Sequence, residues 1–295
     1  MSATGALAPI TVAAASRSKR IGALARRSPV ATLGVLILAA IAVAALLAPI
    51  LGTIDPLALS PVRKLRPPSA AYWFGTDQIG RDVYSRVVYG ARVSLAVGFC
   101  VTTLALAGGV LLGLASGLAR AVDAVVSRCL EGLMAVPAVL TAIALMAITG
   151  ASIEGVVVAI AVAEIPRVAR LVRSLVLVLR DQPYIEAARA GGTSRVRVLY
   201  RHMLPNMLGP LIVQGSYICA SAILTEATLS FLGAGTPADI PSWGNIMAEG
   251  RGLFRVAPHV IFFPGLLLAL TVLSVNLVGD GLRDACDPRM ALTGQ

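Results

Sequence analysis

EAARAGGTSRVRVLYRHMLPN, residues Glu186 to Asn206, is an arginine-rich interruption in a chain that is otherwise largely apolar. The residues leading into it, Tyr184 to Ala190, are good helix formers. Gly191 and Gly192 break that helix, since glycine costs about 1 kcal/mol against alanine in a helix interior. Thr193 or Ser194 can cap a second helix through Tyr200, and Pro205 is expected to end it. The stretch therefore reads as two short helices with a sharp bend, exposed to water. Ala187, Ala188 and Ala190 leave a helix face that a partner's backbone can approach closely. On residue types alone, a plain basic loop between membrane helices fits as well.

Bulk properties set the class around this stretch. The chain has 295 residues, 57% hydrophobic and 14% charged, with a mean hydropathy of +0.83. That is too apolar for a soluble domain. A net charge of +10 raises nucleic acid as a partner, but the arginines gather at the ends of apolar runs, which is the membrane pattern, so no nucleic acid is expected. Cys100, Cys129, Cys219 and Cys286 make no CxxC or metal spacing, and His202 and His259 are the only histidines. Neither a disulfide nor a metal site is expected. Lys19 and Lys64 are the only lysines, and neither lies in a phosphate-binding GxxxxGK[ST] loop. With no HExxH or GxSxG either, the chain offers no catalytic constellation and is expected to be no enzyme, with no cofactor of its own.

The chain divides by polarity. Residues 1–28 carry Arg17, Lys19, Arg20, Arg26 and Arg27 and no acid, a basic cytoplasmic start. Residues 29–51 are a first membrane span, too long for a typical signal core. Residues 52–92 form an external loop and an interfacial helix that starts near Gly80, with Val83, Val87 and Val88 on one face and an expected i,i+4 pair between Asp82 and Arg86. This segment strains the topology rule, because it holds six basic residues against three acids. Residues 93–283 hold five further spans: Ser94 to Ala119, glycine-rich; Leu133 to Ile148, with Pro137 as a kink; Gly155 to Val178, with Pro166; Met207 to Leu232; and Val260 to Val278. A short surface helix is expected around Asn245 to Glu249. Residues 284–295 form a cytoplasmic tail. From 165 to 205 there are eight arginines and two acids, which places that region inside.

Glu186-Ala187-Ala188, Gly192 six residues after the Glu, and Leu204-Pro205 together resemble the EAA loop of ABC importer permeases, with His202 standing where the general pattern has isoleucine. FGTDQIGRDVYSRVVYGARVSLAVG (74–98), LTEATLSFLGAG (224–235), PSWGNIMAEGR (241–251) and NLVGDGLRDACDPR (276–289) resemble the C-type permease subunits of dipeptide, oligopeptide and nickel importers. The resemblance covers roughly residues 71 to 290. It implies an all-α, six-helix type I ABC importer permease fold in a bacterial cytoplasmic membrane, with both termini inside. It also implies a coupling loop at about 181–206 in which Glu186, Ala187, Ala188, Gly192, Leu204 and Pro205 meet an ATPase. The implied partners are a B-type permease, two ATPase subunits or domains that bind ATP and Mg, an external substrate-binding protein, and membrane lipid. The implied cargo is a dipeptide or oligopeptide, with nickel or glutathione as alternatives on the same architecture.

Other candidates come from single residues. Glu226, Tyr217 and Gln214 lie in an apolar helix and are candidate pathway or gate residues, since carboxylates and polar groups in a membrane face protein or water. For Glu226 an interfacial position near the outer helix end fits equally. Glu164 is expected near the inner interface rather than in the pathway. Trp243, Asn245 and Arg251 are candidate external docking residues. Arg167, Arg170 and Arg173 have the three-residue spacing of a voltage sensor, but Arg180 and the basic loop follow at once, and nothing resembles a potassium filter. A secondary transporter with a midplane site fits six helices but needs no such bent helix pair.

Overall fold

The structure is a computed structural model that describes residues 28–286. The basic start at 1–27 and the tail from 287 onward lie outside the described residues. In chain order the helices are α1 (Pro29–Leu46), α2 (Val83–Leu118), α3 (Arg120–Met134), α4 (Ala138–Thr149), α5 (Ile153–Arg180), α6 (Pro183–Ala190), α7 (Arg195–Phe231), α8 (Trp243–Gly250) and α9 (His259–Cys286). Among the described residues there is no β-strand, only an isolated bridge between Thr76 and Asp82.

Among the described residues four helices, α1, α2, α7 and α9, are long and apolar enough to cross a membrane. The pair α3 and α4, bent by 92°, makes a fifth if it is one span. The remaining expected span, α5, is 28 residues long, about 42 Å at 1.5 Å per residue, which exceeds a hydrocarbon core of about 30 Å. Its charges, Glu164 and Arg167 among them, keep it from qualifying on apolarity. It buries its apolar face on α2 instead.

The α2–α5 contact is built by glycine. Gly109, Gly113 and Gly117 recur every four residues and so share one face of α2. A methyl group placed on Gly113 would lie 2.5 Å from Val172 Cβ, and one on Gly117 would lie 2.7 Å from Val176 Cβ. Only hydrogen fits there, so the backbones approach closely, as small residues allow in lipid where packing rather than water drives association. On the other side α9 packs between α1 and α7, and α7 packs on α2.

Several expectations are corrected. The interfacial helix and the second span are one helix, α2, of 36 residues. Asp82 does not pair with Arg86. Its carboxylate caps α2 instead, accepting from the Ser85 amide at 2.8 Å. At Pro137 the expected kink is a full break: the chain turns by 92° between α3 and α4. Its own backbone is extended (φ −53°, ψ 133°), and a proline both lacks an N–H and disfavours a helical conformation at the residue before it. Pro205 does not end the second helix of the bend. A π-turn over Leu199–Met203 shifts the hydrogen-bond register by one residue, and the Leu204 amide donates to Leu199 O, five residues back. The chain passes through Pro205 and continues unbroken into the next span. The last helix also runs further than expected, through Cys286.

Candidate functional site

The bend at 181–206 is assembled from local chemistry. Pro183 occupies the first turn of α6, where a missing N–H costs nothing. Ile185 is fully buried, in a cluster with Val198, Met203 and Met207, and so anchors α6 beneath α7. Glu186 and Ala187 face solvent, and Ala188 packs partly against the core. The helix then closes in a Schellman motif. The Gly192 amide donates to Arg189 O at 3.0 Å and the Thr193 amide to Ala188 O at 3.0 Å. That motif requires a left-handed residue, and Gly192 supplies it at φ +79°. No heavy atom lies within 4 Å of where a Gly192 Cβ would sit, so the glycine serves conformation, not packing.

The two ends of the motif meet in space. Asn206 Nδ2 donates to His202 O at 2.6 Å and lies 3.4 Å from the Tyr184 hydroxyl. The Tyr184 and His202 rings are 6.4 Å apart. Leu204 is half-buried and Pro205 exposed. Exposed Tyr200 and Val196 add apolar surface to this face. Above it, Arg173 grips Asp123 with two hydrogen bonds of 2.5 and 2.7 Å, which ties α5 to α3. The arginines read as a sensor pattern are therefore engaged in part: Arg173 with Asp123, and Arg167 with Glu164 at 2.8 Å.

The opposite region is a compact cap formed by the segment before α2 together with α8. Its core is a four-membered charge cluster. Arg86 donates to Asp77 Oδ2 at 2.8 Å and to both oxygens of Glu249, at 2.6 and 3.0 Å. Arg81 bonds Asp77 at 2.6 Å and also reaches Glu249. Asp77 Oδ1 accepts from the amides of Ile79 and Arg81, each at 2.9 Å. Burying such charges is tolerable because each faces an opposite charge and hydrogen bonds. The cluster also offsets part of the excess of basic residues in 52–92, since Glu249 comes from outside that segment. Arg81 and Arg86 are neutralised by Asp77 and Glu249, and Arg92 donates to the α1 carbonyls of Ala45 and Leu46 at 2.5 and 2.9 Å.

Two of the candidate docking residues lie inside this cap. Trp243 is fully buried and donates from Nε1 to Val87 O at 3.0 Å. Asn245 is buried and donates to Thr236 Oγ1, Pro237 O and Ile240 O. Trp243 fastens α8 to α2 and Asn245 holds the 236–242 turn in place, and both are buried. Arg251 is exposed, as is Trp73, and so are Phe254 and Val256, which polarity patterning did not single out.

The pathway candidates separate. Glu226 is 0% exposed. It accepts from Ser230 Oγ at 2.9 Å and from Ser94 Oγ at 3.3 Å. The network continues through Thr236 to Ser242 at 3.2 and 3.3 Å. Within this chain Glu226 is enclosed and joins α7, α2 and the 236–242 turn. Tyr217 lies nine residues earlier, half a turn round the helix at about 100° per residue. It is partly exposed, and its hydroxyl donates to Asp280 at 2.6 Å. Gln214 is half-buried on a face near that of Tyr217. Glu164 is buried and accepts from Ser221 at 3.1 Å, which places a second carboxylate between α5 and α7. Among the described residues no group of three or more acidic, cysteine or histidine side chains could hold a metal.

Comparison with known proteins agrees with this architecture. The probable peptide ABC transporter permease protein y4tQ of Sinorhizobium fredii is 50% identical over 285 residues, 95% of this chain and 98% of that protein. The dipeptide transport system permease protein DppC of Alkalihalophilus pseudofirmus is 42% identical over 266 residues, 90% of this chain and 88% of that protein. The fold resembles a chain of the inward-facing MetNI methionine ABC transporter, with a TM-score of 0.58 at 20% identity, over 68% of this chain and 96% of that one. Residues 109–292 match the family described as binding-protein-dependent transport system inner membrane component. This chain belongs to the family of binding-protein-dependent transport system inner membrane components, with a type I ABC importer permease fold.

Proposed function

We propose that this chain is one of two permease subunits of an ABC importer that carries peptides into the cell. The observation that carries the reading is the bend at α6: a short helix, anchored by Ile185 and closed by Gly192, presents Glu186 and Ala187 to solvent at the head of a helix that continues as a membrane span. Such a lever transmits displacement directly into α7. Peptide cargo rests on the relatives named as peptide and dipeptide permeases. In this reading both termini and the α6–α7 bend are cytoplasmic, and the Asp77–Glu249 cap faces outward. A second permease completes the pathway, ATPase subunits dock on α6 and bind ATP and Mg, and an external receptor delivers the cargo. This chain supplies force transmission and pathway surface, and hydrolysis belongs to its partners.

The test is reconstitution of the purified complex with candidate receptors. Peptide-loaded receptor stimulates hydrolysis and uptake if the reading holds. Stimulation only by a nickel- or glutathione-loaded receptor reassigns the cargo. Failure of any ATPase to co-purify removes the coupling role.

A further inference from the structure

We infer that the basin where α2, α3, α5, α6 and α7 meet is a binding site for the headgroup of an anionic phospholipid. The cavity measures about 720 Å³, within the roughly 300–1,000 Å³ range of small-molecule sites. Arg120, Arg180, Arg189 and Arg195 line it, with Asp181 as the single acid. Asp181 pairs with Arg180 at 3.3 Å. The side chains of Arg120, Arg189 and Arg195 make no ion pair among the described residues. Three uncompensated guanidinium groups thus converge from the starts of α3 and α7 and from α6, and guanidinium forks match phosphate oxygens in pairs.

The remainder of the lining favours a lipid over a free anion. Leu118 and Val196 are exposed apolar residues beside the arginines, 53% and 66% accessible, with Leu199 and Met203 below them. Leu118 is the last residue of α2, a helix apolar enough to cross a membrane. The cationic groups therefore begin where the apolar run stops, at the depth where a phosphate sits above its acyl chains. Basic recesses between membrane helices at a membrane surface suit anionic headgroups, each nearby Lys or Arg strengthening binding about fivefold. The inference goes beyond the proposed import function and needs no ATPase, though Asp181, Arg189, Arg195 and Val196 of its lining belong to the 181–206 coupling loop.

The experiment uses the complete purified complex, stripped of lipid in detergent and then exposed to phosphatidylglycerol and phosphatidylcholine in equal amounts. Native mass spectrometry counts what each complex retains. Phosphatidylglycerol is expected to be retained in preference. The double variant Arg120→Gln/Arg195→Gln should weaken that retention by roughly tenfold or more, and Arg120→Lys/Arg195→Lys should preserve most of it. Equal retention of the two lipids by the wild-type complex overturns the site, and this comparison stands alone should the Gln variant fail to assemble. Displacement of phosphatidylglycerol by inorganic phosphate assigns a free anion and overturns the lipid. Dissociation of the ATPase from the Gln variant, with lipid retention unchanged, makes the basin a protein contact and likewise overturns it. Receptor-stimulated hydrolysis of the wild-type complex is read separately, so failure of the importer reading is distinguishable from failure of the lipid site.

Discussion

Arg86 and Glu249, 163 positions apart in the chain, form a two-pronged ion pair that fastens the start of α2 to the end of α8. Arg86 is 1% exposed, and its other partner, Asp77, is equally buried. The pair converts two distant polar segments into one rigid cap. Removing Arg86 leaves Asp77 and Glu249 to share Arg81 alone, one negative charge in excess, and breaking a buried pair in this way costs about 3–5 kcal/mol. Arg86→Met should therefore lower the thermal stability of the complex, or its yield. Adding Asp77→Asn to it should recover part of that loss. A wild-type melting temperature for Arg86→Met alone would show that the cap is not held by this cluster.

Trp243 and Arg251 separate packing from docking. Trp243 is wholly enclosed and bonded to Val87 O, so Trp243→Ala should cost about 3–5 kcal/mol through cavity formation. Arg251 is exposed, and Arg251→Ala should change stability by no more than about 0.5 kcal/mol. Receptor affinity, measured with both proteins folded, then decides whether Arg251 contacts the receptor. Unchanged affinity would leave Trp73 and Phe254 as the exposed cap residues to test next.

Gly113 tests the α2–α5 contact. Its Cβ position lies 2.6 Å from Ala169 O as well as 2.5 Å from Val172 Cβ, so a side chain must push the helices apart. Gly113→Leu should abolish a stable complex, with a cost in the overpacking range of about 1–3 kcal/mol or above. The control Gly132→Ala, where nothing lies within 4 Å of a Cβ, should cost nothing and can gain up to about 1 kcal/mol from helix propensity. Equal expression and melting of Gly113→Leu and wild type would mean that the two helices do not pack this closely.

Sidedness is tested by labelling. In a cysteine-free background, a cysteine at Ser69 or Ala238, both exposed on the cap, should react with an impermeant reagent applied to intact cells. One at Ser194, exposed at the bend, should react only after permeabilisation. Labelling of Ser194→Cys from outside would invert the orientation.

The helices themselves are legible in the sequence because their signals are local. The α5 boundaries lie within two residues of the expected Gly155 to Val178, and α2 is visible as a glycine-rich span, although glycine content alone does not name α5 as the helix it packs on. What could not be read is non-local. Arg86 sits between Ser85 and the apolar Val87 and Val88, and nothing in its neighbourhood announces Glu249 as its partner. Trp243 and Asn245 look like surface residues because their stretch is polar, yet polarity here serves an internal hydrogen-bonded turn. Pro205 misleads for a related reason. A proline ends a helix only if the register is fixed, and the π-turn at Leu199–Met203 lets the helix absorb it. The sequence around Glu226 fits an interface and a pathway equally, and the structure gives a third position, enclosed among Ser94, Ser230 and Thr236.

The coupling bend allows conformation and charge to be tested apart. Gly192 is left-handed at φ +79° with open space around it, so a substitution there acts only through the backbone. Gly192→Val places a β-branched residue in a region that costs L-residues about 1–2 kcal/mol or more. It should unwind the Schellman closure and misdirect α6. Gly192→Asn, whose side chain tolerates the same region, should retain most function. Glu186 is exposed, so Glu186→Lys should leave the fold and membrane insertion intact while reversing the charge offered to a partner. If that charge meets a basic residue in a buried contact, losing it costs about 2–5 kcal/mol of docking energy. Three readouts on one complex distinguish the cases: membrane insertion, ATPase co-purification and receptor-stimulated hydrolysis. Insertion should be normal in all variants, and stimulated hydrolysis should be lost in Gly192→Val and Glu186→Lys but kept in Gly192→Asn. Equal loss in Gly192→Val and Gly192→Asn would mean that the position is packed against a partner rather than chosen for its backbone. Full stimulation in both Gly192→Val and Glu186→Lys would remove the bend from the coupling path, since neither its shape nor its exposed charge would then reach the ATPase.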